Sequence, residues 1–277
     1  MTASLFYKND SELAEGPMWH KGRRSFFWVD ILGELFYEYG WNDKKVTVYR
    51  PQRLVSVVYE TADINKVILA AQGGLFLFNL SNGESELLQA IERDKQTRTN
   101  DGGYDPAGRI WIGTMGLTHG KNEGALYCYS KKAGLVKKLD SLTIPNGIAW
   151  SKDGKTMYHV ETTEYVVNAY DFDNATGNIK FRKVAIHVPG ELGFPDGMCM
   201  DEEGMLWIAH WGGFGVCRWN PLTGELLGKI DVPVPHVSSC TFGGDDMKTL
   251  LITTARENLS RDDIRRYPES GSIFIAG

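Results

Sequence analysis

The chain has 277 residues and a formal net charge of −5; 42% of its residues are hydrophobic and 23% are charged. This apolar content excludes an intrinsically disordered chain, and the length suits one large closed β architecture, which predicts a single domain over residues 1–277. Because the balance is acidic and the basic residues are scattered, the composition argues against a nucleic-acid partner.

The chain begins Met1-Thr2-Ala3-Ser4-Leu5-Phe6 and lacks the basic and apolar regions of a secretory signal peptide. No apolar run in the sequence approaches the length of a membrane span. We therefore expect a cytoplasmic protein without a membrane partner. The cysteines occur singly, which favours buried reduced thiols over a disulfide framework or a zinc site. They are Cys128, Cys199, Cys217 and Cys240.

A short β-type segment recurs six times along the chain. The steps between matching positions are 40, 43, 47, 49 and 44 residues. Such a period is typical of the four-stranded blades of a β-propeller. The matching positions are Trp28, Ile68, Trp111, Tyr158, Trp207 and Leu251.

Turn signals and further strand-like runs fill each repeat. Asp105-Pro106-Ala107-Gly108 and Asp201-Glu202-Glu203-Gly204 precede two of the segments and are typical of hairpin turns. Four strands fit each repeat, and no convincing amphipathic helix is present. The last repeat is one strand short, since only residues 271–276 follow its second strand. We predict that Ser4–Lys8 supplies the missing outer strand and closes a six-bladed, all-β propeller.

Polar residues stand 11 to 13 positions before each matching position. In a propeller the innermost strands line a central channel, so these residues should meet although they are distant in sequence. Carboxylate and amide oxygens gathered without thiolates favour a hard divalent cation such as Ca²⁺, Mg²⁺ or Mn²⁺, and oxygen ligands also allow Zn²⁺ or Fe²⁺. The six residues are Glu15, Ser56, Asn100, Asn146, Asp196 and Ser239.

His210 follows the inner segment of the fifth repeat and has two interpretations. It could contact a substrate in the channel mouth, or it could have a structural or surface role. No serine lies in a G-x-S-x-G motif, so the sequence does not support a nucleophile-elbow hydrolase.

Several motifs, taken together and in order, resemble the gluconolactonase and regucalcin (senescence marker protein) family of sugar-acid lactonases. The resemblance covers essentially the whole chain. The motifs are Ala14-Glu15-Gly16-Pro17-Met18-Trp19, Arg98-Thr99-Asn100-Asp101-Gly102, Pro145-Asn146-Gly147, Phe194-Pro195-Asp196-Gly197-Met198 and Cys240-Thr241-Phe242-Gly243-Gly244.

The resemblance implies a metal held by Glu15, Asn146 and Asp196, with Asp196 also acting as the general base. It further implies that Arg98 and Asn100 bind the sugar hydroxyls or the lactone. We expect Asp101 to support this group. The chain departs from some relatives in the loop 116–123, where Gly116-Leu117-Thr118-His119 replaces an acidic substrate contact, and at Glu161, where many relatives have aspartate.

These expectations combine into the metal-dependent hydrolysis of an aldonolactone to the free sugar acid. Two alternatives stay open: a metal-dependent esterase or phosphotriesterase of the same fold, and a non-catalytic calcium-binding propeller. The expected partner is a small sugar lactone, and the expected assembly is a monomer or a weak homo-oligomer. The sequence does not select the lactone or the metal.

Overall fold

The computed structural model describes residues 1–93 and 95–277, which fold almost entirely into β-strands. Within these residues, 24 strands form six antiparallel sheets of four strands each. This arrangement confirms the predicted six-bladed β-propeller. In chain order the strands are β1 Ser4–Tyr7, β2 Ala14–His20, β3 Ser25–Asp30, β4 Leu35–Gly40, β5 Val46–Tyr49, β6 Val55–Glu60, β7 Lys66–Ala71, β8 Gly74–Asn79, β9 Ser85–Ala90, β10 Thr97–Tyr104, β11 Ile110–Gly116, β12 Gly124–Ser130, β13 Gly134–Leu142, β14 Pro145–Trp150, β15 Thr156–Glu161, β16 Val166–Asp173, β17 Asn178–His187, β18 Phe194–Met200, β19 Leu206–Trp211, β20 Gly215–Asn220, β21 Glu225–Asp231, β22 Val237–Gly243, β23 Thr249–Thr254 and β24 Ile273–Ala276.

Blades one to five are consecutive four-strand meanders that begin at β2, β6, β10, β14 and β18. The first strand of each blade is innermost, and it contacts the innermost strands of both neighbouring blades. The ring closes where β2 contacts β22 of blade six. All six inner strands therefore run in the same direction along one central channel, and matching positions lie at the same depth.

Blade six consists of β22, β23 and β24, with β1 as its outermost strand. Ser4 lies opposite Ile275 and Leu5 opposite Phe274 in the antiparallel pairing. This pairing confirms the predicted closure by the N-terminal segment. The rings of Phe6 and Tyr39 of blade one lie 4.5 Å apart. The N-terminal strand thus joins the last blade to the first.

The core lies between blades, where their sheets stack face to face. The second strand of blade one, Ser25–Asp30, is buried at all six positions because it has neighbouring blades on both faces. Val29 and Phe36 of blade one, for example, pack in one apolar cluster with Val67 and Leu69 of blade two. The hydrophobic segments that revealed the repeat are therefore the second strands of the blades.

The turns before the second strands of blades three and five are each tied to the core by an aspartate. Asp105 accepts hydrogen bonds from the backbone N–H of Arg109 at 3.0 Å and from the indole N–H of Trp111 at 2.9 Å. Asp201 accepts a hydrogen bond of 2.9 Å from the indole N–H of Trp207. A carboxylate that binds both its own turn and the next strand's tryptophan explains why blades three and five share the Asp-x-x-Gly turn signal.

The described residues contain one short α-helix, α1, which spans Arg261–Arg266 between β23 and β24, and two single-turn 3₁₀ helices at Thr162–Glu164 and Gly190–Leu192. Helix α1 starts at a capping box, in which Ser260 and Asp263 bond reciprocally, and it has no buried residue. The sequence does not predict this helix, because the segment has no apolar stripe. Among the described residues no helix has the length and apolar character needed to span a membrane.

Candidate active site

A cavity of 340 Å³ opens where the inner strands begin. Four inner strands, β2, β10, β14 and β18, line it, and each contributes at least one of the predicted polar residues. A second cavity, of 320 Å³, is lined by the later residues of the same strands and therefore lies at the other end of the channel. Besides Glu15, Arg98, Asn100, Asn146 and Asp196, the first cavity is lined by Leu13, Met115, His119, Ile144, Thr162, Thr163, Phe194, Trp211, Glu257 and Asn258.

Irregular strand pairing positions the three predicted metal ligands. The pairing of each inner strand with its neighbour shifts register just after Glu15, around Asn146 and around Asp196. Such bulges redirect a side chain out of the regular alternation of a strand. Gly16 follows Glu15 with a φ of +51°, and a Cβ there would lie 2.5 Å from the carbonyl oxygen of Ser56. Only glycine fits this close approach between two blades.

A chain of hydrogen bonds orients the amide of Asn146. Arg98 donates to the Asn100 side-chain oxygen at 2.7 Å, and the Asn100 amide donates to the Asn146 side-chain oxygen at 2.8 Å. The Asn146 amide donates to the hydroxyl of Thr162 at 2.9 Å, and Thr162 donates to the carbonyl of Pro195 at 2.8 Å. Because the donors in this chain are fixed, the side-chain oxygen of Asn146 must be an acceptor. The bond from Asn100 uses one of its two lone pairs, which leaves the other for a ligand.

The two carboxylates lie in a water-poor environment. Glu15 is 7% exposed and Asp196 is 6% exposed. Burial, followed by the charge of Asp101, raises the pKa of Glu15 to about 8. Burial, followed by the charge of Glu15, raises the pKa of Asp196 well above its usual value. In the described part of the chain, Oδ1 of Asp196 has no hydrogen-bond partner.

These residues fit a hard divalent cation. Two buried carboxylates that repel each other are stabilised in their ionised form by a cation between them, and the unpartnered oxygen of Asp196 is available to it. The donors are two carboxylates and an amide oxygen from three blades. Residues 1–93 and 95–277 contain no group of three or more His, Cys, Asp or Glu side chains arranged to hold a metal.

The raised pKa of Glu15 predicts a pH-dependent stability of the metal-free protein. The pKa of this carboxyl is about 8 in the folded protein, against its usual value of 4.5. The folded state therefore binds the proton more tightly than the unfolded chain does. Between these pH values the titration of Glu15 should therefore lower the free energy of unfolding as pH rises, and this contribution is at most about 1.4 kcal/mol per pH unit. Glu15→Gln replaces the titratable carboxyl by a neutral amide. The metal-free variant should therefore become more stable relative to metal-free wild type as pH rises.

Urea unfolding at a series of pH values measures this difference. Glu12→Gln is the matched control, because Glu12 is an exposed glutamate nearby in the same segment. A stability difference between Glu15→Gln and wild type that does not change with pH would contradict the buried-carboxylate assignment.

Glu257 is a cavity residue that the sequence analysis missed. Its backbone N–H donates to the carbonyl of Glu12 at 2.8 Å, and its own carbonyl lies 3.0 Å from Nδ1 of His236. Burial raises the pKa of its carboxyl, while the charge of Arg98 acts in the opposite direction. Glu257 lies in the loop after β23, outside the repeat-equivalent positions, so the blade alignment gave no signal for it.

Two predicted substrate residues do not line this cavity. Asp101 lines the opposite cavity and accepts a hydrogen bond from the backbone of Gly102 at 2.6 Å, because neighbouring residues of an inner strand point different ways. His210 is 0% exposed; its ring stacks on Trp219 at 6.2 Å, and its Nδ1 lies 3.1 Å from the carbonyl of Leu192. Neither side chain therefore lies at the cavity that Glu15, Asn146 and Asp196 line, and for His210 this is the structural role that the sequence also allowed.

The two departures from the family pattern have different places in the structure. His119, in the loop 116–123, lines the cavity. Glu161 accepts hydrogen bonds from the backbone N–H of Ile144 and from the hydroxyl of Thr163, both at 3.2 Å. Since Ile144 and Thr163 line the cavity, Glu161 supports its wall from behind.

Comparison with known proteins decides the family. A family model described as the SMP-30/Gluconolactonase/LRE-like region matches residues 13–256. The chain belongs to this family. The match confirms the resemblance found in the sequence motifs and includes every predicted site residue from Glu15 to His210.

Relatives within the SMP-30/gluconolactonase family match over nearly their full lengths. Regucalcin of Oryctolagus cuniculus is 35% identical over 274 residues, covering 94% of this chain and 89% of regucalcin. YvrE of Bacillus subtilis, named as a proposed sugar lactone lactonase, is 31% identical and covers 100% of this chain and 94% of its own. The solved structure of the calcium-binding protein regucalcin from Agrobacterium tumefaciens has a TM-score of 0.93 and 31% identity, and covers 99% of this chain and 94% of that chain.

Proposed function

We propose that this protein hydrolyses a sugar lactone to the free sugar acid, using one divalent metal held by Glu15, Asn146 and Asp196. The observation that carries the proposal is the buried, unpartnered oxygen of Asp196 in the same cavity as the Arg98–Asn100 pair. Membership of the gluconolactonase family and the similarity to YvrE support lactones as the substrate class.

The chemistry required is the hydrolysis of a cyclic ester. A cation held by Glu15, Asn146 and Asp196 would supply Lewis-acid polarisation of the lactone carbonyl and would lower the pKa of a water molecule. Asp196 would accept the proton of the attacking water at the carboxylate oxygen that does not hold the cation, and the water oxygen bonds to the carbonyl carbon. The ring C–O bond then breaks, and the proton held by Asp196 passes to the leaving alkoxide, which becomes a hydroxyl of the sugar acid.

Other cavity residues would orient the sugar. Arg98 donates hydrogen bonds from one wall, while Glu257 offers two carboxylate oxygens from another. The described residues include no hydrogen-bond donor to the Glu257 carboxylate, so both its oxygens are available to sugar hydroxyls. Trp211, which stacks on His236 at 4.2 Å, gives an apolar surface for the C–H face of the ring.

Glu257→Gln should therefore raise KM for a polyhydroxylated lactone. A lost hydrogen bond to a charged group weakens binding by about 1.5–3 kcal/mol, which corresponds to about a 10- to 100-fold increase. Steady-state kinetics should show this increase with kcat nearly retained, whereas the control Glu12→Gln should behave as wild type. An unchanged KM in Glu257→Gln would show that Glu257 does not contribute to substrate binding.

A substrate panel tests the proposal itself. Chelated protein should be reconstituted with Ca²⁺, Zn²⁺, Mn²⁺, Mg²⁺ or Fe²⁺ in turn and assayed with aldonolactones, aryl esters and aryl phosphotriesters. We expect metal-dependent turnover of at least one aldonolactone with the highest kcat/KM. Preferential turnover of a phosphotriester or aryl ester would favour the esterase alternative, and metal binding without any turnover would favour a calcium-binding propeller.

A further inference from the structure

The second cavity, at the opposite end of the channel, contains a pair of neighbouring thiols. Cys199 lies in the inner strand of blade five and Cys240 in the inner strand of blade six. Their sulfur atoms are 3.8 Å apart, and both residues line this cavity. The lactone site is at the other mouth, so neither thiol has a part in the proposed hydrolysis.

We propose that Cys199 and Cys240 form a peroxide-sensitive dithiol whose oxidation links blades five and six by a disulfide. A disulfide requires a sulfur–sulfur distance of about 2.05 Å, so the two sulfurs must approach further from their present contact. The two strands belong to different sheets and share no ladder of hydrogen bonds, so the approach does not require strand pairing to break.

The two thiols differ in a way that assigns their roles. Cys199 is partly exposed to the cavity, whereas Cys240 is 3% exposed and donates to the carbonyl of Trp207 at 3.4 Å. Burial, followed by the neighbouring Cys199, raises the pKa of the Cys240 thiol well above its usual value. A dissolved oxidant therefore reaches Cys199 first, and Cys240 follows as the resolving thiol.

The chemistry balances with hydrogen peroxide as the oxidant. The sulfur of Cys199 attacks one peroxide oxygen, the O–O bond breaks, and a sulfenic acid and one water molecule form. The sulfur of Cys240 then attacks the sulfenic sulfur, the S–O bond breaks, and the hydroxide leaves as water with the thiol proton. Two thiols lose one electron each, and the two electrons reduce the peroxide to two molecules of water.

The chain provides its own controls. Cys128 and Cys217 are buried in separate apolar clusters, and among the described residues neither has another cysteine sulfur in contact. Burial raises the pKa of each of these thiols to about 11. They should therefore remain reduced under the conditions that oxidise the pair.

The test uses the full-length protein treated with hydrogen peroxide, then denatured and titrated for free thiols. Wild type should fall from four free thiols to two and recover four with dithiothreitol, and a peptide map should show Cys199 joined to Cys240. Cys199→Ser, at the partly exposed position, should form no such link, while Cys128→Ser and Cys217→Ser should still form it. Four persistent thiols, a pairing with Cys128 or Cys217, or a sulfinic Cys199 beside a free Cys240 would each overturn the proposal.

Discussion

Asp196→Ala should lower kcat/KM for the best aldonolactone by at least about 1,000-fold, which corresponds to a loss of about 4 kcal/mol of transition-state stabilisation. The substitution removes a proposed metal ligand and the proposed proton acceptor together. Steady-state kinetics at saturating metal would measure the loss. The melting temperature of the metal-free variant should not fall, because burial and repulsion from Glu15 raise the pKa of Asp196 and so disfavour its charge.

Ser239→Ala is the matched control for this substitution. Ser239 occupies the equivalent position in blade six and is buried, yet it lines the opposite cavity. It should retain wild-type kinetics. Activity of Asp196→Ala within tenfold of wild type would show that another group accepts the proton of the attacking water.

Deletion of residues 1–8 should lower the melting temperature by about 10 °C or more. The deletion removes β1 and leaves the backbone groups of β24 unpaired along the edge of blade six. It also removes the contacts of Phe6 with Tyr39 and of Tyr7 with Trp28, which join blade six to blade one. Calorimetry or circular dichroism on heating would measure the change.

Leu5→Ala controls for the loss of side-chain contact alone. Leu5 is 40% exposed and lies opposite Phe274 in the strand pair, so the variant keeps the backbone pairing. Its melting temperature should stay within a few degrees of wild type. If the deletion variant had the melting temperature of wild type, closure of the ring by β1 would not contribute to the stability of the fold.

The fold was predictable because one physical requirement repeats in each blade. Each second strand is buried between two neighbours, so hydrophobic residues recur with the blade period. Blades three and five also share an aspartate turn, before Trp111 and Trp207. The convergence of Glu15, Asn146 and Asp196 followed from the same symmetry. It did not extend to all six matching positions, since Ser239 lines the opposite cavity and Ser56 lines neither cavity.

Features outside the repeat were not predictable in the same way. Glu257 reaches the cavity from a loop whose path depends on bonds to residues more than 200 positions earlier, such as the carbonyl of Glu12. Asp101 is adjacent to Asn100 in sequence, but the two side chains open to opposite ends of the channel. His210 stacks on Trp219 of the next strand, a core contact that hairpin pairing creates. Spacing alone does not reveal such orientations.

Anomalous scattering from a crystal of the chelated protein soaked with Mn²⁺ would locate the metal. We expect one anomalous peak per chain, in contact with side-chain oxygens of Glu15, Asn146 and Asp196 in the cavity beside Arg98, and no peak there in Glu15→Gln. A peak bound elsewhere in wild type, or an empty cavity at saturating Mn²⁺, would contradict the proposed metal site.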